Sequence, residues 1–267
     1  MKIESFFEQI WNQYTNLNPE ALKIHQLLKK QGDEIFNDHI AYRTLKHPKL
    51  GIESLAKFFK DFGYVEKSDY HFEVKKLYAI HLENIKSPEL PKIFISELLT
   101  DKFSPELQKT MNQLVDQIPA KTLSDPSLCM AGRLWTANHK TYQSLYKESE
   151  YAAWFYAYGF CANHFTVNIN NLKAFKEVQD LNEFLMKHGF QMNESGGLVK
   201  GTPDDHLEQS STMAYEKELK FDDGVFKVPS CYYEFAKRYP MKDGKMYQGF
   251  VAKSADKIFE STNQRGH

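Results

Sequence analysis

The strongest constraint on this chain is an internal repeat. A strand-like stretch, Asp38-His39-Ile40-Ala41-Tyr42-Arg43, is followed by an amphipathic segment in which Ile52, Leu55, Phe59 and Phe62 recur at helical spacing and Gly63 supplies a stop. The order returns in the second half as Asn163-His164-Phe165-Thr166-Val167-Asn168-Ile169, then apolar Leu172, Phe175, Val178, Leu181 and Leu185, then Gly189. His39 precedes Gly63 by 24 residues and His164 precedes Gly189 by 25, and an aromatic, Tyr64 or Phe190, follows each glycine. A repeated supersecondary unit buries its apolar face against its copy. Each unit reads as strand, helix and two or three further strands. The expected fold is therefore α+β, two βαβββ modules whose concave sheets face a common cavity as a partly open barrel.

Alternation in the first strand puts His39, Ala41 and Arg43 on one face and Ile40 and Tyr42 on the other. The Cα atoms of His39 and Arg43 then stand roughly 13 Å apart, room for a small dicarboxylate between a metal on the imidazole and the guanidinium. Taken alone, this spacing equally describes a core histidine beside a surface arginine. In the second strand His164, Thr166 and Asn168 share a face. Further strands are expected over 70–82, 92–98, 208–221 and 225–238, the last two separated by the turn Asp222-Asp223-Gly224. One carboxylate falls on the last strand of each unit, Glu97 and Glu234. Two histidines and one carboxylate form the facial triad that holds Fe(II) with coordination positions left open, and Zn, Mn or Ni fit the same cage. The favoured set is His39, His164 and Glu234. Glu97 is the rival carboxylate, and its neighbours do not separate the two.

The remaining candidates read mainly as structure. His25 and His139 are expected to be solvated, and His71 and His81 exposed. His188 sits at a helix C-terminus, where the dipole favours a cation. His206 lies in a polar turn and is a lid candidate. Thr166, Asn168, Tyr215, Ser230 and Tyr232 line the cavity or pack the barrel, and Cys231 alternates away from Glu234. The aromatic helical insert before Gly159 reads as packing. The three cysteines show no paired spacing, which excludes a disulfide framework or zinc ribbon. With 34 basic against 35 acidic residues, no global charge favours nucleic acid or a membrane surface. The longest nearly apolar run, residues 151–162, is too short to span a bilayer, and no signal-peptide core opens the sequence; a cytoplasmic location is expected. Residues 1–267 are read as a single domain: N-terminal helices 1–34, first module 35–100, helical insert 101–162, second module 163–240 and tail 241–267. The sequence sets no oligomeric state.

Four segments together carry a family likeness: His39-Ile40-Ala41-Tyr42-Arg43, Asn163-His164-Phe165-Thr166, Tyr232-Tyr233-Glu234-Phe235-Ala236-Lys237-Arg238, and Ser254-Ala255-Asp256-Lys257-Ile258-Phe259-Glu260-Ser261-Thr262. In these the chain resembles the 2-oxoadipate dioxygenase/decarboxylase family, of the vicinal oxygen chelate superfamily. The resemblance implies His39, His164 and Glu234 as iron ligands, which chooses Glu234 over Glu97 by analogy. It implies Arg43 as the catalytic arginine that holds a substrate carboxylate, and a pocket of His39, Arg43, His164 and Val251 closed by Gly249-Phe250-Val251. The implied reactants are a 2-oxo dicarboxylic acid and O2, with 2-oxoadipate giving 2-hydroxyglutarate and CO2. Fe(II) is the implied cofactor, and no organic cofactor is needed because the substrate is its own reductant. Better-known members of the family are longer, so the pocket walls that set substrate length are expected to differ here. The alternatives on the same fold are a non-oxidative isomerase or lyase of the glyoxalase type and a non-catalytic small-ligand binder.

Overall fold

Two helices open the chain, α1 (Ile3–Leu17) and α2 (Pro19–Lys30). The break between them follows from Asn18, whose side chain accepts from the Ala21 N–H, and from Pro19 at the first helical position. The first module is β1 (Asn37–Leu45), α3 (Ile52–Asp61), β2 (Tyr64–Phe72), β3 (Leu77–Asn84) and β4 (Lys92–Leu98). An insert of three helices follows, α4 (Pro105–Asp116), α5 (His139–Glu148) and α6 (Glu150–Tyr158). The second module is β5 (Ala162–Asn168), α7 (Val178–Lys187), β6 (Lys200–Thr202), β7 (Leu207–Ser211) and β10 (Tyr232–Arg238), with a ribbon of β8 (Glu216–Phe221) and β9 (Gly224–Pro229) inserted before its last strand. Helix α8 (Ala252–Phe259) and a tight turn, Glu260–Thr262, end the fold. The computed structural model describes residues 2–263; Met1 and 264–267, the outermost residues of the first and last expected segments, lie outside them.

Eight strands form one sheet that curls into a half-barrel, in the order β2-β3-β4-β1-β5-β10-β7-β6. The order is the same read outward from either side of the β1–β5 junction. Each module pairs its first and last strands in parallel, β1 with β4 and β5 with β10, and the modules join where β1 meets β5 antiparallel. Helices α1, α2, α3 and α7 pack on this sheet. Side chains that alternate away from His39 and His164 meet them: Tyr42 lies 5.7 Å from Phe59 of α3, and Phe165 lies 4.8 Å from Tyr14 of α1 between ring centres. Helix α8 touches β2 at one edge of the sheet and β6 at the other. It therefore bridges the mouth that the curl leaves open.

Several expectations are corrected. Residues 70–82 are a hairpin, because the chain turns at 73–76 with Lys76 in a left-handed conformation (φ 54°), and polar-apolar alternation runs on through the turn. Val74 at its tip is 84% exposed. Residues 208–221 and 225–238 each divide between the main sheet and the ribbon, the second at Pro229, which has no N–H to continue a ladder. His81 is buried between Tyr70 and Glu83, at 2.9 and 3.1 Å. His25 is half-buried 5.1 Å from Trp11, and His139 stacks on Phe226 at 3.7 Å. His71 is exposed, and His188 is exposed at the end of α7 with Nδ1 on the Phe184 carbonyl, as expected. Among the described residues no helix is long and apolar enough to cross a membrane.

Candidate metal centre

The register of three strands assembles the site. Across the β1–β5 junction His39 pairs with Thr166 and Ala41 with His164, so both imidazoles project from the same, concave face. Across β5–β10, Glu234 pairs with Thr166 and adds its carboxylate to that face. His164 Nε2 stands 3.1 Å from Glu234 Oε2 and 3.4 Å from His39 Nε2, and His39 Nε2 stands 3.5 Å from Glu234 Oε1. All three residues are buried, and one ligand atom from each lies within 4.8 Å of the others. Two ligands about 2.1 Å from one ion and at right angles to each other stand about 3.0 Å apart. The donor set and its spacing fit a divalent metal.

Hydrogen bonds from neighbouring side chains orient these three residues. The Nδ1 atom of each histidine is turned to the side chain just before it, His39 to Asp38 Oδ1 at 2.8 Å and His164 to Asn163 Oδ1 at 3.0 Å. Occupying Nδ1 in this way leaves Nε2 for the centre. Gln209 of β7 donates to Glu234 Oε1 at 2.5 Å, and Thr166 Oγ1 lies 3.1 Å from His39 Nε2. Burial pushes the Glu234 carboxyl up, but the two histidines and the Gln209 amide together hold it below its ordinary value. Burial likewise pushes Asp38 up, and the Arg238 guanidinium, with Lys92 and the His39 hydrogen bond, more than offsets this, holding it well below the carboxylate range. Burial lowers His164 despite the Glu234 charge. A carboxyl held in its ionised form beside two imidazole nitrogens is the donor chemistry a divalent metal requires.

Glu97 takes no part. Its Oε2 accepts from the Ile52 N–H at 3.1 Å, capping α3. The residue that stands in the first module where Glu234 stands in the second is Phe94: Ala41, two residues after His39, pairs with Phe94, just as Thr166, two after His164, pairs with Glu234. One module supplies a carboxylate and the other a phenyl ring.

Arg43 is 1% exposed and already paired, Nη1 with Glu150 Oε1 at 2.8 Å and Nη2 with Thr262 Oγ1 at 3.0 Å, beneath the rings of Tyr151 and Trp154. Burial works against its charge, and Glu150 raises it above the usual value. The insert therefore brings an ion-pair partner as well as packing. Arg43 Nε is buried with no hydrogen-bond partner. Tyr232 stacks on His164, 4.5 Å between ring centres, with its hydroxyl buried and unpartnered. Phe250 meets His39 edge-on at 4.8 Å; its neighbour Val251 lines a surface pocket with Lys200 and Ser254. Asn168 caps a turn, accepting from the Asn170 N–H, and His206 lies 6.1 Å from Tyr247 in a left-handed conformation. Ser230 is buried with its carbonyl on Trp154, Tyr215 pairs through its backbone with Ser230 and Cys231, and Cys231 bonds the Ala162 carbonyl. Asp38, Asn163, Gln209, Glu150 and Arg238 were not singled out by the sequence reading. For the first two a signal exists, since an oxygen-bearing side chain precedes the histidine in both repeats.

A family model described as 2-oxoadipate dioxygenase/decarboxylase matches residues 5–129 and 126–246. The chain is 35% identical to the chloroplastic 2-oxoadipate dioxygenase/decarboxylase of Arabidopsis thaliana, over 98% of this chain and 78% of that protein. It superposes with a TM-score of 0.92 on the hydroxyglutarate synthase of Oryza sativa, solved in complex with 2-oxoadipate, at 34% identity over 97% of this chain and 91% of the other. A Shewanella frigidimarina protein described as a hydrolase aligns with a TM-score of 0.90 at 49% identity, over 94% of this chain and 98% of that one. Matched along nearly its whole length in sequence and backbone, the chain belongs to the 2-oxoadipate dioxygenase/decarboxylase family.

Proposed function

We propose that this protein is an Fe(II)-dependent enzyme that converts 2-oxoadipate and O2 into 2-hydroxyglutarate and CO2. The observation that carries the reading is the buried facial set His39, His164 and Glu234, in a chain whose relatives are named for that reaction. Bound there, Fe(II) supplies open positions for chelation of a 2-oxo acid and activation of O2. The products balance: a six-carbon acid and O2 give a five-carbon hydroxy acid and one CO2.

The chain's own residues bind and orient. Asp38 and Asn163 fix the tautomers of the two histidines, and Gln209 fixes the carboxylate. Arg43, locked by Glu150 and Thr262, offers its unpartnered Nε to the distal carboxylate of the substrate as a charge-assisted bond. The free Tyr232 hydroxyl adds a donor above His164. Phe250 and α8 exclude bulk water, and His39 is 2% exposed beneath them. His39, Arg43 and His164 therefore form the substrate pocket, with Val251 at its outer margin.

The test is oxygen uptake by apo protein reloaded anaerobically with Fe(II), mixed with aerated buffer and 2-oxoadipate. Rapid uptake that requires both iron and the oxo acid, with 2-hydroxyglutarate as product, is expected. Confirmed iron occupancy without uptake on 2-oxoadipate or other 2-oxo dicarboxylic acids would overturn the assignment.

A further inference from the structure

Arg238, the last residue of β10, is 3% exposed and divides its guanidinium between two parts of the molecule. One edge grips Asp38: Nε donates to Oδ2 at 2.6 Å and Nη2 to Oδ1 at 2.8 Å. The same Asp38 Oδ1 lies 2.8 Å from Nδ1 of His39. Nη1 points the other way and donates to the carbonyls of Gly249 at 2.7 Å and Tyr247 at 3.1 Å, in the tail that leads into α8.

The next tail residue, Phe250, fills the concave face of the first module. Its ring lies 4.8 Å from His39, 4.9 Å from Phe94, 5.4 Å from His81 and 5.2 Å from the Arg238 guanidinium carbon. Its N–H donates to the Tyr70 hydroxyl at 3.1 Å. Beyond it, α8 spans the mouth of the half-barrel from β2 to β6.

We propose that Arg238 is a positioning residue that ties metal retention at His39 to closure of the tail over the site. A guanidinium is planar and rigid, so its two edges cannot reorient independently. If the tail lifts and the Gly249 and Tyr247 carbonyls leave, Nη1 is stranded in the interior, and the fork on Asp38 is released along with it. Asp38 then no longer holds the His39 ring with Nε2 toward the ion. Coupling of this kind is reciprocal: an ion that favours the ordered His39 favours the closed tail by the same factor. A lysine at this position could pair with Asp38 but would not span both sets of acceptors.

The inference rests on the metal reading of the site, and the experiment separates the two. Amide hydrogen exchange is followed in the full-length protein without metal and with Co(II) alone, and Co(II) affinity is measured by competition with a chromophoric chelator. In the unaltered protein Co(II) is expected to slow exchange over residues 247–255 by about tenfold. Arg238→Lys is expected to weaken Co(II) binding by about 10- to 100-fold and to leave the tail fast-exchanging with or without the ion. Tyr70→Phe, which touches neither Asp38 nor a ligand, loosens Phe250 and by reciprocity weakens Co(II) binding too. Uptake of Co(II) with unchanged tail exchange in the unaltered protein overturns the coupling while leaving the metal site standing, and needs no variant to fold. A folded Arg238→Lys that loses only affinity, or only tail protection, overturns it equally. Failure of the unaltered protein to bind Co(II) removes the metal reading and this inference with it.

Discussion

At the scale of single residues, the two carboxylates that end the modules make opposite predictions. Glu97→Ala removes a helix cap and is expected to lower stability by about 1 kcal/mol with metal content unchanged. Glu234→Ala is expected to abolish metal binding, leaving two buried imidazoles with no carboxylate; metal analysis of both purified variants decides. Arg43→Lys keeps a cation beside Glu150 and loses the Nε donor. The loss of a charged hydrogen bond, about 1.5–3 kcal/mol, should raise KM for 2-oxoadipate by about 10- to 100-fold without changing metal content. An unaltered KM in steady-state oxygen uptake would take Arg43 out of substrate binding.

At the scale of elements, the α1–α2 hairpin carries its own pH dependence. Burial beside Trp11, with some help from Lys29, holds His25 down to about 4. Between that value and the ordinary imidazole value of about 6.5 the unfolded chain binds a proton that the folded chain refuses. This contribution to stability is therefore complete above about pH 6.5 and is lost as the pH falls toward 4. His25→Gln should flatten the fall in denaturant midpoint between pH 7 and 4.5, and an unchanged slope would show that His25 does not control it. The same elements show how far periodicity reads. The apolar stripes of α1 and α3 were legible because a helix repeats its buried face every three to four residues. Of the five positions read as one stripe in the second module, only Val178, Leu181 and Leu185 lie in α7, Leu172 and Phe175 being buried in the non-helical segment before it. The hairpin at 73–76 was not, because alternation is indifferent to a turn that keeps its phase.

At the scale of the whole molecule, the three residues that could hold a metal, His39, His164 and Glu234, come from both modules, and the sheet runs unbroken through their junction. Metal should therefore stabilise the molecule as one unit. Free metal at a hundredfold its Kd adds about 2.7 kcal/mol, and chelation should remove that stabilisation and lower the temperature of a single thermal transition, with no effect on His164→Ala. Two transitions, only one of them metal-sensitive, would mean that the modules unfold separately. The sequence by itself determined the repeated unit, the two helix stops and the pair of histidines, because period, glycine punctuation and residue type are written locally. The family likeness chose Glu234 from the residues around it. Only the tertiary structure decided why: the β5–β10 register puts Glu234 beside Thr166, and the matching place in the other module holds Phe94. It also decided the partners of the charges. Arg238 reaches Asp38 across 200 residues and Arg43 reaches Glu150 across 107. Such pairs leave no periodic trace in the chain, since they exist only once the sheet has curled and the interior leaves a buried charge no water to turn to.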